Sequence, residues 1–356
     1  MKKIDLSLLF AIIALTLFGL FMIYDASSFV AFRDFGDKYH YIKDQVVWVL
    51  LGFGALTFFS LFDYRRLYAL ALPILFIAII ALVLVFVPGI GVHLLGASRW
   101  INTGIFVLQP AEFVKLALAI YLAAWFSNKE KGRLPAFLLL MGLVLGLVML
   151  EPDMGTAIVI LSEALVIYFL SGANILHLSL LVPLVAFLGF IFIKISPYRT
   201  KRLEAFFNID SSLDSSSYHA KQILIALGSG GLTGVGLGNS LQKYAYLPES
   251  TTDSIFAIIA EELGFVGATT LIIFFIFILF RCFRIAVNAK DNFGKLLGGG
   301  ISTFLAVQCL INLAAQTALV PLTGIPLPFI SYGGSALIID LAAVGILLNI
   351  SKTASS

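Results

Sequence analysis

Some ionisable side chains of this 356-residue chain sit where their neighbours are apolar, and these could do chemistry. Glu112 and Lys115 share one apolar stretch, three residues apart. Glu151 and Asp153 flank Pro152 at a turn, and Glu163, the adjacent Glu261 and Glu262, and Asp340 interrupt further apolar stretches. Asp253 ends a long polar segment, Arg99 stands beside Trp100, and Lys243 lies in the same polar segment as Asp253. A carboxylate can accept a proton, and a guanidinium or ammonium can hold an anion. A charge in hydrocarbon is costly, so each of these groups needs a reason to be there. Glu112 and Lys115 fall on one helix face and can pair with each other. Asp153 precedes Gly155-Thr156 and is placed to cap a helix. Asp253, after Pro248-Glu249-Ser250-Thr251-Thr252, is either a cap or first-turn acid, or a group facing a cavity. Glu261 and Glu262 point to different faces, so at least one meets a polar interior. For Glu163 and Asp340, a water-lined cavity and helix–helix hydrogen bonding both remain open.

The elements that must position these groups follow from composition. Hydrophobic residues make up 60% of the chain and charged residues 12%, about half the charged share of soluble domains. That excludes a soluble core and disorder, and supplies material for about ten spans of ~20 residues. Ten apolar segments occupy approximately 4–24, 45–62, 67–87, 109–127, 135–150, 154–171, 175–195, 253–280, 298–320 and 334–350. The expected class is an all-α polytopic membrane protein forming one integral-membrane unit over 1–356, with an uncleaved first span. Twelve Lys and Arg fall on one side of this arrangement and four in the short loops of the other, which predicts N-in and C-in. One long extracytoplasmic loop, 196–252, then lies between spans 7 and 8. Within it 218–232 is apolar and helix-like on one side, and 228–238 is rich in glycine, so the loop is expected to pack on the helices. The corner from Pro321 to Ser335, with three prolines and three glycines, reads as rigid and non-helical. A net charge of +3 without long basic runs gives no sign of nucleic-acid binding. Cys282 and Cys309 suggest neither a disulfide framework nor a zinc site.

Seven strings, in order, resemble the SEDS family (shape, elongation, division and sporulation), the group of RodA, FtsW and SpoVE. They are Gly96-Ala-Ser-Arg99-Trp100-Ile, Gln109-Pro-Ala-Glu112-Phe-Val-Lys115-Leu, Glu151-Pro-Asp153-Met-Gly-Thr, Gly228-Ser-Gly-Gly, Leu247-Pro-Glu249-Ser-Thr-Thr-Asp253-Ser-Ile-Phe-Ala, Glu261-Glu262-Leu-Gly, and the corner Pro321 to Ser335. Gly236-Leu-Gly-Asn-Ser-Leu-Gln-Lys243-Tyr and Thr252-Asp253-Ser-Ile-Phe are closer to the division branch. Val107 departs from that branch, which often carries a basic residue two positions before the Gln-Pro.

The resemblance implies a peptidoglycan glycosyltransferase that polymerises lipid II into β-1,4 glycan at the outer face of the bacterial cytoplasmic membrane, at the division septum. An α-linked donor and a β product need one in-line displacement, with a base for the attacking hydroxyl and cations for the departing pyrophosphate. Asp253 matches the family's essential aspartate and is the expected general base. Arg99, Trp100, Glu112, Lys115, Asp153, Lys243 and Glu261 are the expected substrate contacts. A divalent cation, Mg2+ or Mn2+, is compatible with this chemistry, although no motif demands one. The implied partners are lipid II, a class B penicillin-binding protein docking on spans 8 and 9, other division proteins and membrane lipids. A lipid II flippase and a non-catalytic division scaffold are the competing readings.

Overall fold

A computed structural model describes residues 4–94, 97–104, 106–128, 132–195, 197–207, 215–244 and 247–353. Lys2, Lys3, Lys129 and Lys131, which enter the charge distribution, and Gly96 of the first string lie outside these residues. The chain runs α1 (Leu6–Phe35), α2 (His40–Leu61), α3 (Arg66–Leu84), β1 (Gly91–Leu94), β2 (Ala97–Asn102), β3 (Val107–Leu108), α4 (Pro110–Phe126), α5 (Leu134–Leu150) and α6 (Met154–Leu170). It continues with α7 (Ile175–Ile195), α8 (Pro197–Phe207), α9 (Ser215–Ser229), α10 (Ile255–Val287), α11 (Asn292–Gln316) and α12 (Gly334–Ser351).

Each of the ten apolar segments became a helix, because a chain in hydrocarbon must satisfy its backbone internally. Among the described residues seven helices are long and apolar enough to cross a membrane, and α5 and α6 are shorter apolar helices. Helix α4 is nearly all buried, including Glu112 and Lys115, and packs against α3, α6 and α11. The first helix extends well past the expected end near Tyr24. Asp25-Ala-Ser-Ser does not break a helix, and the stop comes at Gly36, whose left-handed backbone (φ 69°) forms the C-cap.

The all-α architecture carries one small non-helical addition between α3 and α4. The strands β1, β2 and β3 form a small antiparallel sheet in that order, with Val92 opposite Trp100 and Ile101 opposite Leu108. Its strands are too short, and β1–β2 too irregular at Val92/His93, to show alternation in sequence.

Helix α10 is broken at Gly264, whose backbone (φ 67°, ψ −169°) is open essentially only to glycine. The break frees backbone groups at membrane depth, and the glycine-rich strip after α9 takes them up. The Glu261 and Glu262 carbonyls accept from the N–H groups of Val235 and Gly236 at 3.0 and 3.1 Å. Phe265 N–H and Val266 N–H donate to the carbonyls of Gly231 and Leu232 at 2.9 and 3.1 Å. A Cβ on Gly264 would stand 2.2 Å from the Gly234 nitrogen. The expected packing of the long loop on the helices thus takes the form of backbone pairing with a broken helix. At the far end of the bundle Arg281 pairs with Asp5 at 2.5 Å, and Tyr64 bonds Asp291, which also pairs with Arg65.

Candidate active site

At the other end, the start of α2, the small sheet, the α5–α6 turn, α8, α9, the segment before α10 and the Pro321–Ser335 corner enclose a cavity of about 1110 Å³. The corner is tied down from several elements. Arg202 Nη1 of α8 donates to Leu322 O at 2.8 Å, Tyr332 N–H to Thr251 O at 2.8 Å, and Leu327 N–H to Ser331 Oγ at 2.8 Å.

Asp253 faces this cavity and is only 7% exposed. It precedes the N-cap residue Ser254 and makes no cap bond, so the cap reading does not hold for it. Its carbonyl oxygen accepts from Asn312 Nδ2 at 2.9 Å and Gln316 Nε2 at 2.7 Å, side chains one turn apart on α11. Asn312 Nδ2 also donates to Ile325 O at 2.8 Å, so one amide clamps the aspartate to the corner. Gly324 (φ 75°) lies opposite, where a Cβ would stand 4.0 Å from Asp253 Oδ2. Thr252 Oγ1 lies 3.4 Å from Asp253 Oδ1 and 3.2 Å from Glu249 Oε2, so the two carboxylates share one hydroxyl. Burial, and then the Glu249 charge, push the Asp253 pKa up to about 7, against the pull of Arg202.

Arg99 and Trp100 also line the cavity, as expected. The Arg99 Nε and Nη2 groups donate to the Glu151 and Pro152 carbonyls at 3.0 and 2.7 Å, which fixes the guanidinium. Glu151 is fully buried, and neither carboxylate oxygen has a hydrogen-bond partner among the described residues. Burial, with Asp153 nearby, pushes its pKa up to about 8.

The other expected contacts do not line the cavity. Asp153 is the N-cap of α6, accepting from Thr156 N–H at 3.0 Å, Thr156 Oγ1 at 2.8 Å and Gln109 Nε2 at 3.1 Å. Lys115 lies 2.7 Å from Glu112 Oε2 and 2.7 Å from Gln308 Oε1. Lys243 is 3.0 Å from both oxygens of Asp25 and from Glu262 Oε1. Glu261 accepts from Ser240 Oγ, Ser229 Oγ and Leu241 N–H. Four acidic or basic cavity residues were not singled out from sequence: Asp44, Arg202, His219 and Glu249. His219 Nε2 is 2.7 Å from Ser254 Oγ, and burial lowers the pKa of its ring. Glu249 stood within a quoted string, whereas Arg202 and His219 read as ordinary loop residues.

Among the described residues no group of three or more His, Cys, Asp or Glu side chains could hold a metal ion. The chemistry derived for the cavity uses this chain's own side chains.

The family model described as cell cycle protein (FtsW, RodA, SpoVE) matches residues 6–356. A probable peptidoglycan glycosyltransferase FtsW from Trichlorobacter lovleyi is 41% identical over 99% of this chain and 94% of its own length. Stage V sporulation protein E of Bacillus subtilis is 40% identical over 99% of this chain and 98% of its own. Among solved structures, one described as the structural coordination of polymerization and crosslinking by a peptidoglycan synthase complex matches with a TM-score of 0.81 at 27% identity, covering 99% of this chain and 98% of that one. The rod shape determining protein RodA of Thermus thermophilus matches with a TM-score of 0.73 at 28% identity, covering 99% of each chain. With the whole chain matched and the helices in the same arrangement, this protein belongs to the SEDS family of FtsW, RodA and SpoVE.

Proposed function

We propose that this multi-pass membrane protein is a peptidoglycan glycosyltransferase that polymerises lipid II, with Asp253 as general base. The observation that carries the reading is an aspartate clamped by its backbone carbonyl, its carboxyl pKa near neutral, in a cavity shared with two arginines. A base with a pKa near the working pH combines a useful ionised fraction with enough basicity to take a hydroxyl proton. In the reaction, Asp253 accepts the proton of the acceptor sugar's 4-hydroxyl. The oxygen attacks the donor's anomeric carbon, the new β bond forms, and the α bond to pyrophosphate breaks. Pyrophosphate departs as an anion and needs charge neutralisation more than protonation, which suits guanidinium groups.

The cavity end is assigned to the outer face of the cytoplasmic membrane by the Lys and Arg distribution, which puts the Arg65, Arg281 and Lys352 end inside. A class B penicillin-binding protein is the proposed partner, consistent with the printed description of the matching synthase complex. The division septum is the proposed site of action. The reading is tested by glycan synthesis from purified lipid II, with and without the partner, using wild-type and Asp253→Asn protein. Strands from the wild type and none from the variant are expected. Strands of ordinary length from the variant would remove the base assignment. Lipid II binding without strands from the wild type would favour the flippase reading.

A further inference from the structure

We infer that His219 is a positioning residue for Asp253 and acts through the hydroxyl of Ser254. This rests on the transferase reading, in which Asp253 is the base. His219 belongs to α9 and lines the cavity. Its Nε2 lies 2.7 Å from Ser254 Oγ, and Ser254 is fully buried. Ser254 directly follows Asp253 in the chain and is the N-cap residue of α10.

A serine at that place ordinarily accepts from the N–H of the second or third helical residue. Ser254 makes no such side-chain bond. Its backbone (φ −98°, ψ 6°) is not extended, and Ala257 N–H, the third helical donor, goes to the Ser254 carbonyl at 3.0 Å. The hydroxyl is thereby free of helix capping and is given to His219. What that contact controls is the peptide between Asp253 and Ser254. The oxygen of this peptide is the Asp253 carbonyl, taken by Asn312 and Gln316 of α11. Its nitrogen is that of Ser254, which donates to Glu249 O at 3.2 Å. His219 fixes the side chain just beyond it. With the peptide held from α11, from the preceding turn and from α9, the Asp253 carboxyl is aimed by its backbone. The carboxylate's own contact with Thr252 Oγ1 is long, at 3.4 Å, and too weak to aim it. A base must sit within hydrogen-bond reach of the hydroxyl it deprotonates, so a small rotation of this peptide is felt in the rate. Either tautomer of a neutral ring keeps the bond, since Nε2 can donate to the serine hydroxyl or accept from it. The ring therefore needs no proton transfer of its own to serve.

The experiment measures glycan synthesis from purified lipid II by the full chain with its transpeptidase partner. His219→Ala is expected to lower the maximal rate by about tenfold to 100-fold, the cost of a misplaced base. It should leave the half-saturating lipid II concentration within about twofold of wild type. Ser254→Ala should do the same. The double variant should be no slower than the slower single variant, because both substitutions remove one contact. His219→Gln should recover most of the rate, since its amide nitrogen stands where Nε2 does and it takes up no proton. His219→Asn, whose amide nitrogen stands where Nδ1 does, should recover little. The positioning role is overturned if His219→Ala polymerises at the wild-type rate, or if the double variant loses the product of the two single effects. It is also overturned if His219→Gln rescues no better than His219→Asn, which would make the ring itself a proton acceptor or a substrate contact. A half-saturating concentration that rises in step with the loss of rate would overturn it as well. A wild-type protein that binds lipid II and makes no strands would overturn the transferase reading itself, whatever the variants do.

Discussion

Two sets of buried charge in this protein carry similar side chains and have opposite characters. In the interior and under the long loop, the cations are spent. Lys115 is held between Glu112 and Gln308, each at 2.7 Å, and Lys243 makes three 3.0 Å contacts with Asp25 and Glu262. In the cavity, Asp253 is held by its backbone and Arg99 through one edge. Asp253 is clamped through its carbonyl, and Arg99 through Nε and Nη2, and both residues line the cavity. Burial alone does not separate the two sets, since Lys115 is 2% exposed and Asp253 7%. The separation lies in how much hydrogen-bonding capacity each group has left. A charge with every donor occupied stabilises the fold, and one positioned through other atoms can still act on a substrate.

Asp253→Asn is expected to show the largest effect. Loss of a general base slows polymerisation by about 10²- to 10⁴-fold. The fold should respond in the opposite direction. The aspartate pKa is about 7 in the folded protein, against an ordinary value of 3.8. The folded state therefore binds the extra proton across that interval, and stability falls as pH rises through it. The asparagine variant removes this slope and should melt higher than wild type above pH 7. A variant that loses both activity and stability would place Asp253 among the spent charges.

Lys115→Met tests the interior set. It leaves Glu112 buried without its cation, at an expected cost of about 3–5 kcal/mol, read as a fall in melting temperature in detergent. Replacing Glu112 with leucine in the same protein should recover most of that loss. A double variant as unstable as the single one would mean that the pair is not self-contained. Lys243→Met should cost about 3–5 kcal/mol as well, because the fully buried Glu262 loses its cation even though Asp25 is partly exposed.

The sequence made the membrane helices readable, because sustained apolar runs have few other fates in a chain this poor in charge. Asp153 and Asp253 show where that legibility ends. Both follow a proline-containing turn and precede an apolar run, yet Asp153 caps α6 and Asp253 does not cap α10. The difference comes from Asn312 and Gln316, 59 and 63 residues downstream, whose amides take the Asp253 carbonyl and leave its carboxylate to the cavity. No local pattern encodes that contact. Arg202 escaped notice for the same reason, since an arginine in a polar loop resembles any solvated one until α8 folds over the cavity. The break at Gly264 is equally silent, because its satisfaction depends on a glycine strip some thirty residues away in the chain. Glu112 and Lys115 were legible as a pair, since their spacing of three is itself the contact.

The smallest expected effect is a shift in pH dependence, and it probes the cavity set directly. With Asp253 as a base whose pKa is about 7, kcat/KM for lipid II should fall tenfold per pH unit below pH 7 and level off above it. Glu249, held at a left-handed backbone angle (φ 50°) beside the shared Thr252 hydroxyl, raises that pKa by its charge. Glu249→Gln removes the charge and keeps the shape, so the acid limb should move to lower pH by less than about one unit. At pH 6 the variant would then keep a larger share of its own plateau activity than wild type does. Such a change is worth under about 1.4 kcal/mol, too little to register as a loss of fold. A profile that stays in place after Glu249→Gln would mean that the titrating group is not the aspartate beside it, and the contrast between spent and available charge would have to be drawn around another residue.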